Sequence, residues 1–110
     1  MKHILFELEG CPFSALNDEE HIKFCLFHAA EESHSKVLKV ETQKFPPQGV
    51  TGFALLAESH LSIHTWPEKG VAKCDIFTCS DKWLPEKAIE YLGEAFKATE
   101  VTSDAFDRLL

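Results

Sequence analysis

Three β-compatible segments follow one another in the middle of the chain, and this feature constrains the fold more than any other. Residues 50–57 are nearly all apolar, residues 60–65 alternate between apolar and polar side chains, and residues 71–79 are again typical of a strand. Strands joined by short connections can pair as antiparallel neighbours. We therefore expect an antiparallel three-stranded meander.

Two further strands precede this meander, and one follows it. Alternation of apolar side chains predicts a strand over residues 2–9 and another over residues 37–44. Prolines halt the second of these strands in the segment 45–49, because proline cannot donate a hydrogen bond to a sheet. A last short strand is expected near Val101.

Two helices are also expected. Asn17 and Glu20 have the spacing of a capping box, and helical periodicity continues to about Glu32. Pro85 suits the first turn of a second helix, whose apolar face ends at Phe96. The pattern predicts an α+β fold, a two-layer sandwich in which a mainly antiparallel sheet carries both helices on one face.

Length and charge restrict the class of protein. The 110 residues suit one domain, residues 1–110, and no apolar run approaches the roughly 20 residues of a membrane span. A net charge of −7 with only 11 lysines and arginines argues against a nucleic-acid partner and favours a cationic or amine-bearing small molecule. The early acidic residues do not resemble a signal peptide, so we expect a cytoplasmic protein with free thiols.

The meander also predicts which residues meet. With turns near Glu58-Ser59 and near residues 67–70, Thr78 lies opposite Ser59 and Cys79 lies opposite Glu58. A thiol is thereby expected beside the first turn.

By the same reasoning, His64 pairs with Lys73 on one side and with Phe53 on the other. His60 and His64 lie about 13 Å apart along a strand, too far to share one ion, so no metal site is expected. Composition and residue spacing alone predict a soluble α+β domain and no specific function.

Two motifs carry a specific resemblance. Residues 49–68 read GVTGFALLAESHLSIHTWPE, and residues 75–79 read DIFTC. This pattern resembles the prokaryotic S-adenosylmethionine decarboxylase family, whose members share a core ESHLSIHTWPE, or its threonine variant, and a downstream FTC. The likeness extends to the order of the flanking strands and helices.

The resemblance implies self-cleavage between Glu58 and Ser59. The Ser59 hydroxyl would attack the Glu58 carbonyl, and elimination and hydrolysis would leave a pyruvoyl group as the cofactor. At this step His64 would act as acid and base, assisted by the hydroxyl of Thr51. The products would be a β chain, residues 1–58, and an α chain, residues 59–110.

The resemblance also implies roles in decarboxylation of S-adenosylmethionine to the aminopropyl donor for spermidine. The pyruvoyl ketone would form a Schiff base with the substrate amine, and Cys79 would reprotonate the substrate carbon. Phe45 would stack on adenine, Glu68 would accept hydrogen bonds from the ribose, and Trp66 would shape the pocket, although Phe45 and Trp66 equally suit plain packing. A homodimer of cleaved protomers is implied.

Three departures from the family pattern leave alternatives open. Lys73 and Cys74 stand where the family commonly has small or aliphatic residues, Ser80 replaces a glycine, and the tail after Val101 is short. The charge of Lys73 would keep the imidazole of His64 neutral, or Lys73 would meet a carboxylate in the site, or it would point to solvent. Cys74 is expected in the core. One alternative is that the substrate is a free amino acid, arginine or ornithine, instead of S-adenosylmethionine. Another is that the chain is a non-catalytic homologue that acts as a binding or regulatory subunit.

Overall fold

The computed structural model describes residues 1–79 and 81–109. In these residues the strands are β1 (Lys2–Glu9), β2 (Lys36–Lys44), β3 (Val50–Ala57), β4 (Ser59–Trp66), β5 (Val71–Thr78) and β6 (Glu100–Asp107). The helices are α1 (Phe13–Leu16), α2 (Glu19–Glu32) and α3 (Pro85–Ala95), and Pro67–Lys69 form a 3₁₀ turn. No helix of the described chain is both long and apolar enough to cross a membrane.

All six strands form one sheet in the order β2-β3-β4-β5-β1-β6, and every neighbouring pair is antiparallel. The first strand of the chain thus lies between the fifth and the sixth. The predicted α+β sandwich is confirmed, and the expected short strand near Val101 extends over the eight residues of β6.

Helix α2 begins one residue later than the sequence predicted. Its N-cap is Asp18, whose carboxylate accepts a hydrogen bond from the backbone N–H of His21. The predicted capping residue, Asn17, instead ends α1, and its side-chain oxygen accepts from the backbone N–H of Gly49. Asn17 therefore anchors the loop before β3 rather than the helix.

The core lies between one face of the sheet and α2 and α3. A Cβ atom added at Gly52 would lie 2.9 Å from Leu26 Cδ1, so glycine lets α2 approach β3 closely. At the end of α2, the buried Ser33 hydroxyl accepts a hydrogen bond from Trp83 Nε1 at 2.9 Å. The largest fully buried side chains include Phe6, Leu26, Leu61, Ile63, Leu92 and Phe96.

The opposite face of the sheet, which we call the open face, is exposed in the single chain. It carries large apolar side chains that remain accessible, among them Leu5 (45%), Phe53 (39%) and Leu55 (42%). Alternation along β4 places His60, Ser62, His64 and Trp66 on the same face. The open face thus combines apolar surface with the polar side chains of β4.

Candidate active site

Ser59 lies directly after a two-residue turn at one end of the sheet. It pairs with Leu56 across the turn and with Thr78 on its other side. Its backbone φ is 118°, which residues with a side chain rarely adopt, and Glu58 in the turn is exposed. The bond between Glu58 and Ser59 is therefore accessible and lies beside a strained backbone conformation.

Cys79 directly follows β5 and has an exposed thiol. Because Thr78 pairs with Ser59 as predicted, Cys79 lies beside the turn that contains the Glu58 carbonyl. Burial raises the pKa of the Cys74 thiol well above its usual range and, together with the charge of Asp18, raises the pKa of Cys25 to about 11. An exposed thiol at position 79 is better placed than these buried thiols to transfer a proton to a ligand.

His64 lies at the other end of β4, and its predicted pairing with Phe53 is wrong. It pairs with Thr51, because the turn between β3 and β4 is centred one residue earlier than expected. The shift changes each partner by two positions, so every side chain keeps its face. The result is a contact of 2.5 Å between Thr51 Oγ1 and His64 Nδ1.

Aromatic side chains surround this histidine. The ring of Trp66 lies 4.2 Å from that of His64 at an angle of 73°, and the ring of Phe45 lies at 6.3 Å. We call Thr51, His64, Trp66 and Phe45 the His64 cluster. Glu68 is exposed in the 3₁₀ turn that begins directly after Trp66. A charged group near two aromatic rings can bind a flat, polar ligand.

The structure thus divides the predicted site residues into two groups. Glu58, Ser59 and Cys79 lie at one end of β4, and the His64 cluster lies at the other. Five residues of extended strand correspond to about 16 Å. Within one chain, His64 therefore does not reach the bond that follows Glu58.

The pairing of His64 with Lys73 is confirmed. The ammonium of Lys73 lies 3.1 Å from a carboxylate oxygen of Glu7 on the neighbouring strand β1, and the side chain is 60% exposed. Lys73 thus contacts a carboxylate that is not one of the predicted site residues, and most of its side chain is exposed to solvent. Cys74 is buried as expected, and Ser80 lies outside the described residues.

A second polar group on the open face was not recognised from the sequence. We call His3, His60, Ser62 and Asp75 the Asp75 cluster. Oδ2 of Asp75 lies 2.7 Å from Nε2 of His3 and 2.9 Å from Nε2 of His60, while the hydroxyl of Ser62 donates to Oδ1. Burial raises the pKa of Asp75, but these hydrogen bonds outweigh burial and hold the pKa below its usual value.

A cavity of about 780 Å³ opens on the helix side of the sheet. Its lining includes Cys79, Thr78 and Trp83, together with four acidic side chains, Asp81, Glu86, Glu90 and Asp107. Cys79 is the predicted catalytic residue that contributes to it. Because the His64 cluster lies on the opposite face, this cavity does not join the two groups of site residues.

The chain is similar to known proteins along almost its entire length. The family model described as S-adenosylmethionine decarboxylase matches residues 2–109. A protein of Prochlorococcus marinus (strain MIT 9313) named S-adenosylmethionine decarboxylase proenzyme is 47% identical over 107 residues, which cover 97% of this chain and 86% of that protein. A protein of the same name from Synechococcus sp. (strain WH7803) is 50% identical over 97 residues, covering 88% and 76% of the two chains.

A solved structure gives the same result for the fold. The crystal structure of the adenosylmethionine decarboxylase from Aquifex aeolicus matches with a TM-score of 0.89 and 32% identity, over 99% of this chain and 90% of that one. Family model, sequence relatives and fold therefore agree. This chain belongs to the S-adenosylmethionine decarboxylase family, as the motif resemblance predicted.

Proposed function

We propose that this chain is the precursor of a pyruvoyl-dependent enzyme that decarboxylates S-adenosylmethionine to the aminopropyl donor for spermidine synthesis. The observation that carries the proposal is the accessible, strained Glu58-Ser59 turn beside an exposed thiol, within a chain of this family. The name proenzyme, which its relatives carry, supports a processing step. Family membership also favours S-adenosylmethionine over arginine or ornithine.

Processing begins with attack of the Ser59 hydroxyl on the Glu58 carbonyl, which exchanges the amide for an ester. Loss of the Ser59 α-proton then expels the Glu58 carboxylate, and water releases ammonia from the resulting dehydroalanine to leave a pyruvoyl group. The chain separates into residues 1–58 and 59–110. The positive φ of Ser59 supports this step, since strain in the reactant can be released by cleavage.

A second copy of the chain completes the site in this proposal. His64 lies about 16 Å from Ser59 within one chain, yet proton transfer requires hydrogen-bond distance. Two open faces packed about a twofold axis, with their strands running in opposite directions, can bring His64 of each copy to Ser59 of the other. The apolar side chains of Leu5, Phe53 and Leu55 supply the surface that such a dimer would bury.

Ser59 and Cys79 fit the formation and use of a pyruvoyl group. Ser59 is the required precursor residue, and its turn leaves room for a ligand to approach. A pyruvoyl group supplies a ketone that condenses with the substrate amine and accepts the electrons released with carbon dioxide. Cys79 holds the proton that is delivered to the substrate carbon after decarboxylation.

The His64 cluster and Glu68 supply the substrate contacts. Phe45 is 41% exposed, so its ring face is accessible for stacking on adenine. Glu68 accepts hydrogen bonds from the ribose hydroxyls, and Trp66 packs on His64 and limits the width of the site. A small amino acid such as arginine would leave these aromatic contacts unused.

Mass spectrometry followed by release of labelled carbon dioxide tests the function. The purified protein should consist of two chains that separate after Glu58, the second beginning with a pyruvoyl group. Carbon dioxide should be released from S-adenosylmethionine and not from arginine or ornithine.

The variant Ser59→Ala provides the matched control and should give one intact, inactive chain. An intact wild-type chain, or activity towards amino acids alone, would contradict the proposal.

A further inference from the structure

The Asp75 cluster brings two imidazole nitrogens to one carboxylate oxygen. Nε2 of His3 and Nε2 of His60 both approach Oδ2 of Asp75, at 2.7 and 2.9 Å. One ligand atom from each of these three residues lies within 4.8 Å of the others. Imidazole nitrogen and carboxylate oxygen are ordinary ligands of zinc and related transition-metal ions.

The spacing requires only a small adjustment for an ion to enter. Zinc lies about 2.0–2.2 Å from such ligands, so neighbouring ligand atoms in a tetrahedral site are about 3.3 Å apart. The distances from Asp75 to the two histidines are therefore shorter by about half an ångström. Rotation of the side chains, which are partly exposed, can supply that difference.

The three ligands come from paired strands in the middle of the sheet. His3, His60 and Asp75 come from the three adjacent strands β1, β4 and β5, with β5 between the other two. Ser62 donates to Oδ1 of Asp75, which orients the carboxylate and leaves Oδ2 directed at the histidines. Such hydrogen bonds to a ligand commonly hold it in position for a metal ion.

Arg108 opposes an ion at this position. Its guanidinium donates to Nδ1 of His3 at 3.1 Å and lies over the ring of Phe77 at 5.7 Å. With Nδ1 of His3 accepting, Nε2 of His3 carries the proton and donates to Asp75. Binding of an ion through this nitrogen requires the other tautomer, so Arg108 must move away.

We propose that His3, His60 and Asp75 form a binding site for a divalent transition-metal ion such as zinc. The three ligands occupy three of the four positions of a tetrahedral ion and leave the fourth for another ligand. This departs from the sequence-based expectation of no metal site, which considered His60 only together with His64. His3 lies before the Glu58-Ser59 bond and the other two ligands after it, so the ion cross-links the two products of cleavage.

Titration calorimetry with zinc chloride on the metal-free protein tests this site. We expect one ion per chain and a loss of affinity of about tenfold or more in His3→Ala and in Asp75→Asn. The variant Arg108→Ala should bind zinc more tightly than the wild type. Ser59→Ala should bind like the wild type, because the site does not depend on processing or on catalysis.

Two control variants exclude other ligands. His28→Ala removes a partly exposed histidine of α2, and Cys79→Ser removes the exposed thiol; both should leave zinc affinity unchanged. Saturable binding that survives His3→Ala, or the absence of saturable binding by the wild type, would overturn the proposal.

Cobalt provides a readout that does not depend on whether a variant folds. Cobalt(II) bound to the wild-type protein should show visible d–d absorption without a thiolate charge-transfer band. A strong sulfur charge-transfer band would place the ion on cysteine and refute the assignment.

Discussion

Ser59 and His64 lie on the same strand, five residues and about 16 Å apart. In the proposed enzyme, the residue that is cleaved and the histidine that assists its cleavage therefore belong to different copies of the chain. In the proposed mechanism a processing base cannot act over that distance, so each cleavage would need a histidine from another copy of the chain. A variant of Ser59 and a variant of His64 can therefore be combined in one dimer to test whether the two residues act in the same site.

The first prediction concerns mixed dimers. Ser59→Ala and His64→Ala should each fail to process when expressed alone. Co-expressed, they should form dimers in which one site combines the intact Ser59 of one chain with the intact His64 of the other. Each such dimer contains one complete site, so its His64→Ala chain should be cut and its Ser59→Ala chain should stay intact, which differently tagged chains reveal on a denaturing gel.

The intact control is co-expression of two differently tagged Ser59→Ala chains, which should give no product. Cleavage of His64→Ala alone, or no cleavage in the mixture although mixed dimers form, would argue against a shared site.

The second prediction separates processing from catalysis. Cys79→Ala should still be cut after Glu58, because the thiol takes no part in that step, but kcat should fall by about 10²–10⁴-fold. Cleavage is read by mass spectrometry and kcat by carbon dioxide release. Cys74→Ala, a change at a buried thiol, should lower stability while leaving kcat of the folded protein near that of the wild type. Equal loss of kcat in both variants would refute the role of Cys79.

The third prediction concerns the hydrogen bond between Thr51 and His64. Thr51→Val keeps the shape of the side chain but removes the hydroxyl, so the imidazole loses an interaction of about 1 kcal/mol. We expect self-cleavage to slow by roughly fivefold, measured as the rate of appearance of the two chains. Thr51→Ser retains a hydroxyl and should restore most of the rate; failure to do so would indicate a packing role instead.

The fourth prediction concerns stability. Ser33→Ala leaves the buried indole N–H of Trp83 without its acceptor and should lower the free energy of unfolding by about 1–3 kcal/mol. Urea unfolding measures the change. Ser14→Ala, an exposed serine in α1, should alter stability by less than about 0.5 kcal/mol. Similar values for the two variants would mean that Trp83 finds another partner.

The residue pairs of the hairpin formed by β4 and β5 could be predicted from the sequence, whereas those of the hairpin formed by β3 and β4 could not. Pro67 and Gly70 mark the second turn clearly, and the pairs Ser59 with Thr78 and His64 with Lys73 follow from its centre. The turn at Glu58 contains neither glycine nor proline. The predicted centre is therefore one residue too late, which pairs His64 with Phe53 instead of Thr51.

The position of β1 within the sheet also could not be predicted from the sequence pattern. Alternation shows that residues 2–9 form a strand but does not identify the strands on either side, because the partners are about 70 and 100 residues away. His3 could therefore not be assigned to Asp75. The family motif, in contrast, named Ser59, His64 and Cys79 without revealing that Ser59 and Cys79 lie near one end of β4 and His64 lies near the other.

The strand order determines when the chain can be cut. Cleavage after Glu58 separates β1, β2 and β3 from β4, β5 and β6, yet in the sheet β1 lies between β5 and β6. Either piece made on its own would expose strand edges that other chains can join. The unbroken chain therefore helps the sheet to assemble, because it keeps all six strands connected until they have paired. Only after that is the backbone bond at Ser59 no longer needed.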